Sequence, residues 1–364
     1  MDFAFTADQD GLRKLAAKVF ADKRAADSAA VWGELARAGL LGLALPVESG
    51  GAGLGLVELC LLFEQAGRAA SPAPLVPALI AAQALATFGA PAHAKFLESA
   101  AAGEAFATLA LHETGGEPER PSLRAQKSGD GFVLDGVKLA VPGADRAALI
   151  LVPARFADGA TGLFLVAPNA NGARLDRAIA TDDVTLHQLT LANVRVAADA
   201  ELAPGRGGEA LAWILERATV GACAVELGIA QRQLEMTAEH AVRRKQFGKP
   251  IGTFQAVAQR AADMYIDVES LRLVTWQAAS WIDEGARSPV EKSAAVATAA
   301  YWAAEAGARV AAAAQHLHAG IGFDRGYPLY RYFLAAKRLE LELGGANRAL
   351  ARLGATIAAT EVRS

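Results

Sequence analysis

The sequence predicts a mostly helical α+β chain in which helices come first, strands second and helices again last. Apolar residues recur at helical spacing from Asp8 to about Thr108 and again beyond Glu209, whereas between these stretches short runs rich in Val, Leu and Thr alternate with Gly, Asp and Pro. A length of 364 residues, 53% hydrophobic, is enough to build two or three packed units. The division that follows is an N-terminal helical domain over 1–108, a middle β domain over 109–208 and a C-terminal helical region over 209–364.

In the first region Leu12, Leu15 and Val19, then Trp32, Leu35 and Leu40, recur at steps of three to five with alanine between them. The glycine-rich run from Pro46 to Gly55 breaks that pattern and reads as a loop between helices. In the second region the strand candidates are Gly131 to Gly136, Ala148 to Pro153 and Thr161 to Val166. No helix of crossover length lies between them, so an antiparallel barrel or sandwich is expected rather than a doubly wound sheet. The run Ala203 to Gly208 closes the strand region.

In the third region Val257, Ala261, Met264, Val268 and Leu271 mark one apolar stripe, which implies long helices packed as a bundle. The stretch from Ala294 to Ala314 is alanine-rich: it permits close helix approach and favours burial against other helices, including those of another subunit.

A formal charge of -3 leaves no basic surplus for a phosphate backbone, which argues against nucleic-acid binding and leaves open a local patch for a small anion. Cys60 and Cys223 lie in apolar, helix-like stretches and suit two reduced core thiols. The start lacks the basic and apolar regions of a signal peptide, and charges interrupt every apolar run before membrane-spanning length. A soluble, cytoplasmic protein without a membrane span is the expectation.

The densest motif is the cationic run from Arg243 to Gln255, RRKQFGKPIGTFQ. One reading is a helix carboxyl end, with cations complementing the dipole, Gly248 as cap and Pro250 as stop. The other is an anion site in which Arg244 offers a planar fork to a diphosphate and Phe247 packs on a ring system. Gly50 to Gly55 has neither a dinucleotide-binding nor a P-loop register. His316 and His318 lack partners at zinc-ligand spacing, and no nucleophile elbow is present.

The RRKQFGKPIGTFQ run resembles the signature of the acyl-CoA dehydrogenase family. Ala319-Gly320-Ile321-Gly322-Phe323 with Tyr327-Pro328 downstream, and the Pro46 to Gly55 loop, are similar to two further family features. The resemblance spans essentially the whole chain. It implies an N-terminal helical domain, a middle antiparallel β-barrel and a C-terminal four-helix bundle, assembled as a homo- or hetero-tetramer with FAD at a subunit interface. It also implies FAD contacts for Arg244, Gln246, Phe247 and Gln255, and for His316, Leu317 and Gly320 around the adenosine end.

The family reaction oxidises an acyl-CoA thioester to its 2,3-enoyl form and passes electrons to an electron-transfer flavoprotein. It needs a carboxylate base beside the α-carbon. The two positions at which family members carry that base fall on Leu343 and Ala218, and neither side chain accepts a proton. Glu340, Glu342 and Glu216 lie nearby. One residue along a helix turns a side chain by about 100 degrees, so Glu342 is a weak substitute and reads equally as an ion-pair partner of Arg338.

The family's flavin-lining strands correspond to His112 to Gly116 and Leu139 to Gly143, without the usual tryptophan and second hydroxyl residue. Tyr327 to Ala346 resembles one chain of bacterial two-chain enzymes that act on bulky acyl-CoA substrates such as steroid side chains. Two functions follow: an acyl-CoA dehydrogenase subunit, or a non-catalytic subunit that completes the FAD site of a catalytic partner.

Overall fold

The computed structural model describes residues 4–22 and 28–361. Helices α1 (Ala7–Asp22), α2 (Ser28–Arg37), α3 (Leu56–Arg68), α4 (Leu75–Phe88) and α5 (Ala94–Ala101) come first. Strands β1 (Ala107–Leu109), β2 (Arg124–Ser128), β3 (Gly131–Pro142), β4 (Leu149–Arg155), β5 (Thr161–Val166), β6 (Ala173–Ile179), β7 (Thr185–Ala197) and β8 (Glu201–Leu202) follow. Helices α6 (Gly207–Arg243), α7 (Gln255–Asp283), α8 (Pro289–His318), α9 (Leu329–Glu342) and α10 (Gly345–Glu361) complete the chain, with the two-residue strands β9 (Lys245–Gln246) and β10 (Lys249–Pro250) between α6 and α7. Among the described residues no helix is long and apolar enough to cross a membrane.

These elements gather into two compact units that do not follow chain order. One comprises α1, Leu56–Pro72 and the chain from Thr219 onward, and the other comprises Ser28–Gly55 and Ala73–Ala218. In the second unit the eight strands run in the order β6-β7-β3-β2-β4-β5-β8, with β1 alongside β4. Pairing is antiparallel except for β1 with β4 and a single β2–β4 register. Alternate residues of five strands, among them Leu189, Leu134, Ala125, Val152 and Phe164, meet in one buried core, so the sheet curls over a common interior.

The ladder nonetheless starts at β6 and ends at β8, and no pairing among the described residues closes it into the expected barrel. Both ends discourage closure: β8 has two residues, and β6 exposes Arg174 and Arg177 along its edge.

In the first unit α8 packs against α7, α9 and α10. Its start is written in the sequence. The Ser288 hydroxyl accepts from the Glu291 N–H at 3.2 Å, the Glu291 carboxylate accepts from the Ser288 N–H at 2.9 Å, and Pro289 occupies the first turn. Among the described residues the C-terminal region holds the helices α6 to α10, and Gly344 and Gly345, both at positive φ (83° and 77°), separate α9 from α10. Asp283, ending α7, caps α3 by accepting from the Leu56 and Val57 N–H groups at 3.0 and 2.9 Å. Cys60 and Cys223 are free and buried, and burial pushes both thiols up.

Candidate functional site

Helix α6 ends at Arg243, and the chain then reverses. The Arg244 N–H donates to the His240 carbonyl and the Ile251 N–H to the Arg244 carbonyl, each at 2.8 Å. Between these bonds β9 and β10 pair antiparallel, Gln246 opposite Lys249, leaving Phe247 and Gly248 at the tip with φ of 52° and 78°. Two successive positive φ angles are what a tight two-residue hairpin requires. Gly248 is therefore a hairpin residue and not the helix cap that its composition suggested.

Phe247 is an aromatic in a left-handed conformation that bulky residues avoid, and it is 92% exposed. Its described ring contact is the edge of Phe254 at 6.2 Å, and the Lys249 ammonium lies 4.6 Å over that same Phe254 ring. Arg243, Arg244 and Lys245 are exposed beside it, without a carboxylate partner among the described residues. Gln255, also exposed, opens α7. The structure thus brings Arg244, Gln246 and Phe247 together on one hairpin.

The second expected segment ends α8. His316 and Gly320 are exposed, and Leu317 is buried. Gln315, one residue earlier, is buried beneath Gly322 with neither amide atom hydrogen-bonded in the structure. Sequence reasoning weighed His318 only as a zinc ligand and missed that it is buried and stacked on His240. Nothing in the local sequence links two histidines 78 positions apart.

Of the two base positions, Leu343 is the buried residue that terminates α9, and Ala218 lies within α6. Glu342 is exposed and its carboxylate pairs with Arg338 at 2.9 Å, and Glu340 pairs with Lys337. An exposed carboxylate already engaged one turn back on its own helix is held as an ordinary ion pair.

A different carboxylate went unread. Glu226, in the apolar run Cys223 to Ala230, is 1% exposed, has neither oxygen hydrogen-bonded in the structure, and packs on Gly307 of α8. Burial raises its pKa well above the ordinary carboxylate value; Arg338 and Lys337 oppose the rise and Glu340 adds to it. The folded value lies above the unfolded one, so the stability that this group contributes is full below about pH 4.5 and is lost as pH rises toward the folded value.

Glu226→Gln removes the titration at constant shape. The stability difference, variant minus wild type, should grow by up to about 1.4 kcal/mol per pH unit above that point. Denaturant unfolding at pH values on both sides of the window checks it, and a difference that stays flat with pH refutes it.

In the sheet unit, His112 bridges Leu139, whose N–H donates to the His112 carbonyl at 2.8 Å. Glu113 accepts from Lys138 at 2.6 Å, from the Ser122 N–H at 2.7 Å, from the Leu123 N–H at 3.1 Å and from the Ser122 hydroxyl. Its carboxylate is fully committed to internal donors. Ala140 has φ 53° inside a bulge of β3, and the Thr108 hydroxyl donates to the Pro142 carbonyl at 2.7 Å.

A cavity of about 410 Å³ in the helical unit is lined by Arg13, Glu64, Arg68, Gln231, Glu235 and Glu269, among others. Arg68 is bound by Glu235 and Gln231, and Glu269 by Arg272, so these charges satisfy one another.

Comparison with known proteins agrees with this geometry. Residues 7–104 match the acyl-CoA dehydrogenase N-terminal domain and residues 205–357 the C-terminal domain. Acyl-CoA dehydrogenase FadE27 of Mycobacterium tuberculosis is 39% identical over 336 residues, covering 91% of this chain and 88% of that protein. FadE28 of the same organism is 32% identical over 370 residues, covering 99% and 100%.

Among solved structures, a variant of the Tcur3481-Tcur3483 steroid ACAD superposes with a TM-score of 0.91 at 40% identity, covering 98% of this chain and 99% of that one. The ChsE4-ChsE5 complex from Mycobacterium tuberculosis gives 0.92 at 35%, with the same coverage. Helices before and after the strands in chain order, the cationic hairpin and relatives that match along nearly the whole length leave one conclusion: the chain belongs to the acyl-CoA dehydrogenase family, oxidoreductases that depend on FAD.

Proposed function

We propose that this chain is a subunit of an FAD-dependent acyl-CoA dehydrogenase acting on a bulky, steroid-derived acyl-CoA, and that it completes the FAD site of a related partner chain instead of supplying the base. The observation that carries this is the pairing of an exposed cation-and-aromatic hairpin, Arg244 to Phe247, with Leu343 and Ala218 at the base positions. The steroid ACAD and the two-chain complex among the similar structures support the substrate class and the mixed assembly.

The residues present fit half of an FAD site. Three exposed cations without carboxylate partners among the described residues suit a diphosphate, and an unburied ring suits stacking on an aromatic system. Arg244 would hold the diphosphate by its planar fork, Phe247 would cover a ring face, and Gln246 and Gln255 would offer amides. His316, Leu317 and Gly320 would border the adenosine end. When bound, FAD supplies the hydride acceptor for the β-carbon. Leu343 contributes apolar surface that excludes water but takes no proton, so the α-proton of the thioester goes to a carboxylate of the partner chain. Electrons would leave to an electron-transfer flavoprotein.

The test is the FAD content and native mass of this chain purified alone and with a related chain. A protein that gains FAD only on mixed assembly supports the reading, and a yellow homo-oligomer with stoichiometric FAD overturns it. In the assembled complex Arg244→Ala should weaken FAD retention about 10- to 100-fold, the range for losing a charge-assisted hydrogen-bonded contact. Unchanged FAD content in that variant would remove Arg244 from the site.

A further inference from the structure

Three rings from separate parts of the helical unit meet around His318. The His240 ring stacks on it with centroids 4.4 Å apart and planes at 25°, and the Tyr327 ring lies on it at 5.4 Å and 47°. The His318 Nδ1 is 2.8 Å from the Ala314 carbonyl, and its Nε2 is 3.1 Å from the Tyr327 hydroxyl. A carbonyl only accepts, so Nδ1 carries the hydrogen, and the neutral ring then accepts the Tyr327 O–H at Nε2.

The main chain at each of these residues is tied to a neighbouring segment. His240 is one turn before Arg244, and its carbonyl accepts the Arg244 N–H that closes the base of the hairpin. His318 precedes Ala319, held at φ 55° with its N–H donating to the Gln315 and His316 carbonyls, and Gly320 comes next. Tyr327 is itself fixed by its N–H to the Asp324 carbonyl at 2.9 Å. One stack therefore joins the base of the Arg244 hairpin to the turn after α8.

We propose that His240, His318 and Tyr327 are positioning residues that lock the Arg244 hairpin base and the Ala319–Gly320 turn together while the imidazoles are neutral, and free both segments when they protonate. This rests on the reading above only for what the two segments hold. A proton on His318 puts hydrogens on both ring nitrogens, so Nε2 becomes a donor and the Tyr327 hydroxyl must turn to accept. A second proton places two cations face to face.

Arg244 is the cation that acts on His240. Arg232, Arg243 and Glu239 act on Tyr327, and Glu239 is 3.5 Å from Arg232. Burial pushes both imidazoles down; His318 and then Arg244 add to the fall at His240, while the Ala314 and Met236 carbonyls oppose it at His318. For a histidine lowered in the folded state, the stability contribution is present above the free value of about 6.5 and is lost as pH falls through the folded value.

Amide hydrogen exchange in the full chain tests the lock without FAD, read at Arg244, Ile251 and Ala319 and corrected for intrinsic rates. Between about pH 7.5 and about pH 5.5, on either side of the free imidazole value, protection at all three should fall together by about tenfold. His240→Phe, which keeps a ring and removes its titration, should reduce that fall severalfold. Unchanged wild-type protection, or a full acid-induced loss persisting in His240→Phe, overturns the proposal.

If the variant does not fold, the imidazole resonances of the wild type decide. Titration of both rings below the free value supports the lock, and titration at or above it overturns the proposal. FAD release from the assembled enzyme, followed at the same two pH values, separates this from the cofactor reading. Exchange that responds to pH while FAD release does not leaves the lock standing and sinks the assignment of these segments to FAD.

Discussion

Gly228→Ala is expected to destabilise the protein by about 3 kcal/mol or more, at the upper end of what overpacking costs, because the obstruction is backbone. A β-carbon at Gly228 of α6 would run into the Glu64 carbonyl oxygen of α3, with the Arg68 amide nitrogen 2.8 Å away. One turn back the roles reverse: a β-carbon at Gly67 of α3 would strike the Val225 carbonyl oxygen of α6, whose carbon is 2.8 Å away. Each helix presents a glycine to the other's main chain, so neither can yield by rotating a side chain.

Alanine is the better helix former by about 1 kcal/mol, which the collision has to exceed. Gly11 in α1 and Gly33 in α2 serve as controls, since a β-carbon there meets nothing within 4 Å. Gly11→Ala and Gly33→Ala should stabilise by up to about 1 kcal/mol. Denaturant unfolding of the four variants measures all of this, and the close crossing is refuted if Gly228→Ala and Gly67→Ala behave like the controls.

That crossing also shows where legibility in the sequence ends. The helical readings before Thr108 and beyond Glu209 put α3 and α6 in different regions, because which glycine meets which carbonyl depends on residues some 160 positions apart. Strand β5 was readable to the residue, since Thr161-Gly162 and Pro168 punctuate an apolar run of β-formers. The hairpin after α6 was not, because Lys, Gln and Pro carry no strand signal and its shape is set by two positive φ angles at the tip.

Arg244 and Phe247 could be read as an anion site from their chemistry alone, whereas Gln246 and the assignment to FAD came only through the family resemblance. The structure adds what a motif lacks, an unburied ring among cations that have no carboxylate partner among the described residues. Glu226 escaped because one carboxylate in an apolar helical run looks like a solvated face until its neighbours on α8 and α9 are known. Histidines 240 and 318 escaped for the same reason, as their contact is entirely tertiary.

Lys138→Met should cost about 3–5 kcal/mol near neutral pH, the range for breaking a buried ion pair by removing one member. Lys138 and Glu113 are 0% and 5% exposed at the side chain, and their 2.6 Å contact sits between β3 and the segment leading to β2. Burial raises the Glu113 pKa, but hydrogen bonds from Lys138 and Ser122 more than reverse this and hold it below the ordinary carboxylate value. Glu113 thus contributes stability above about pH 4.5 that is lost as pH falls through the lowered folded value.

Without the ammonium, desolvation of the same carboxylate is much less opposed, so in the variant Glu113 takes up its proton at higher pH. The gap between wild type and Lys138→Met should therefore be widest near neutrality and should narrow on acidification. Changing Glu113 to Leu as well should not restore full stability. The Ser122 and Leu123 N–H groups and the Ser122 hydroxyl would then be left without their acceptor, at about 1–3 kcal/mol for each group kept from water. Denaturant unfolding of the two variants at neutral and acid pH checks this. A gap under about 1 kcal/mol that is indifferent to pH would make the pair no more than a surface salt bridge.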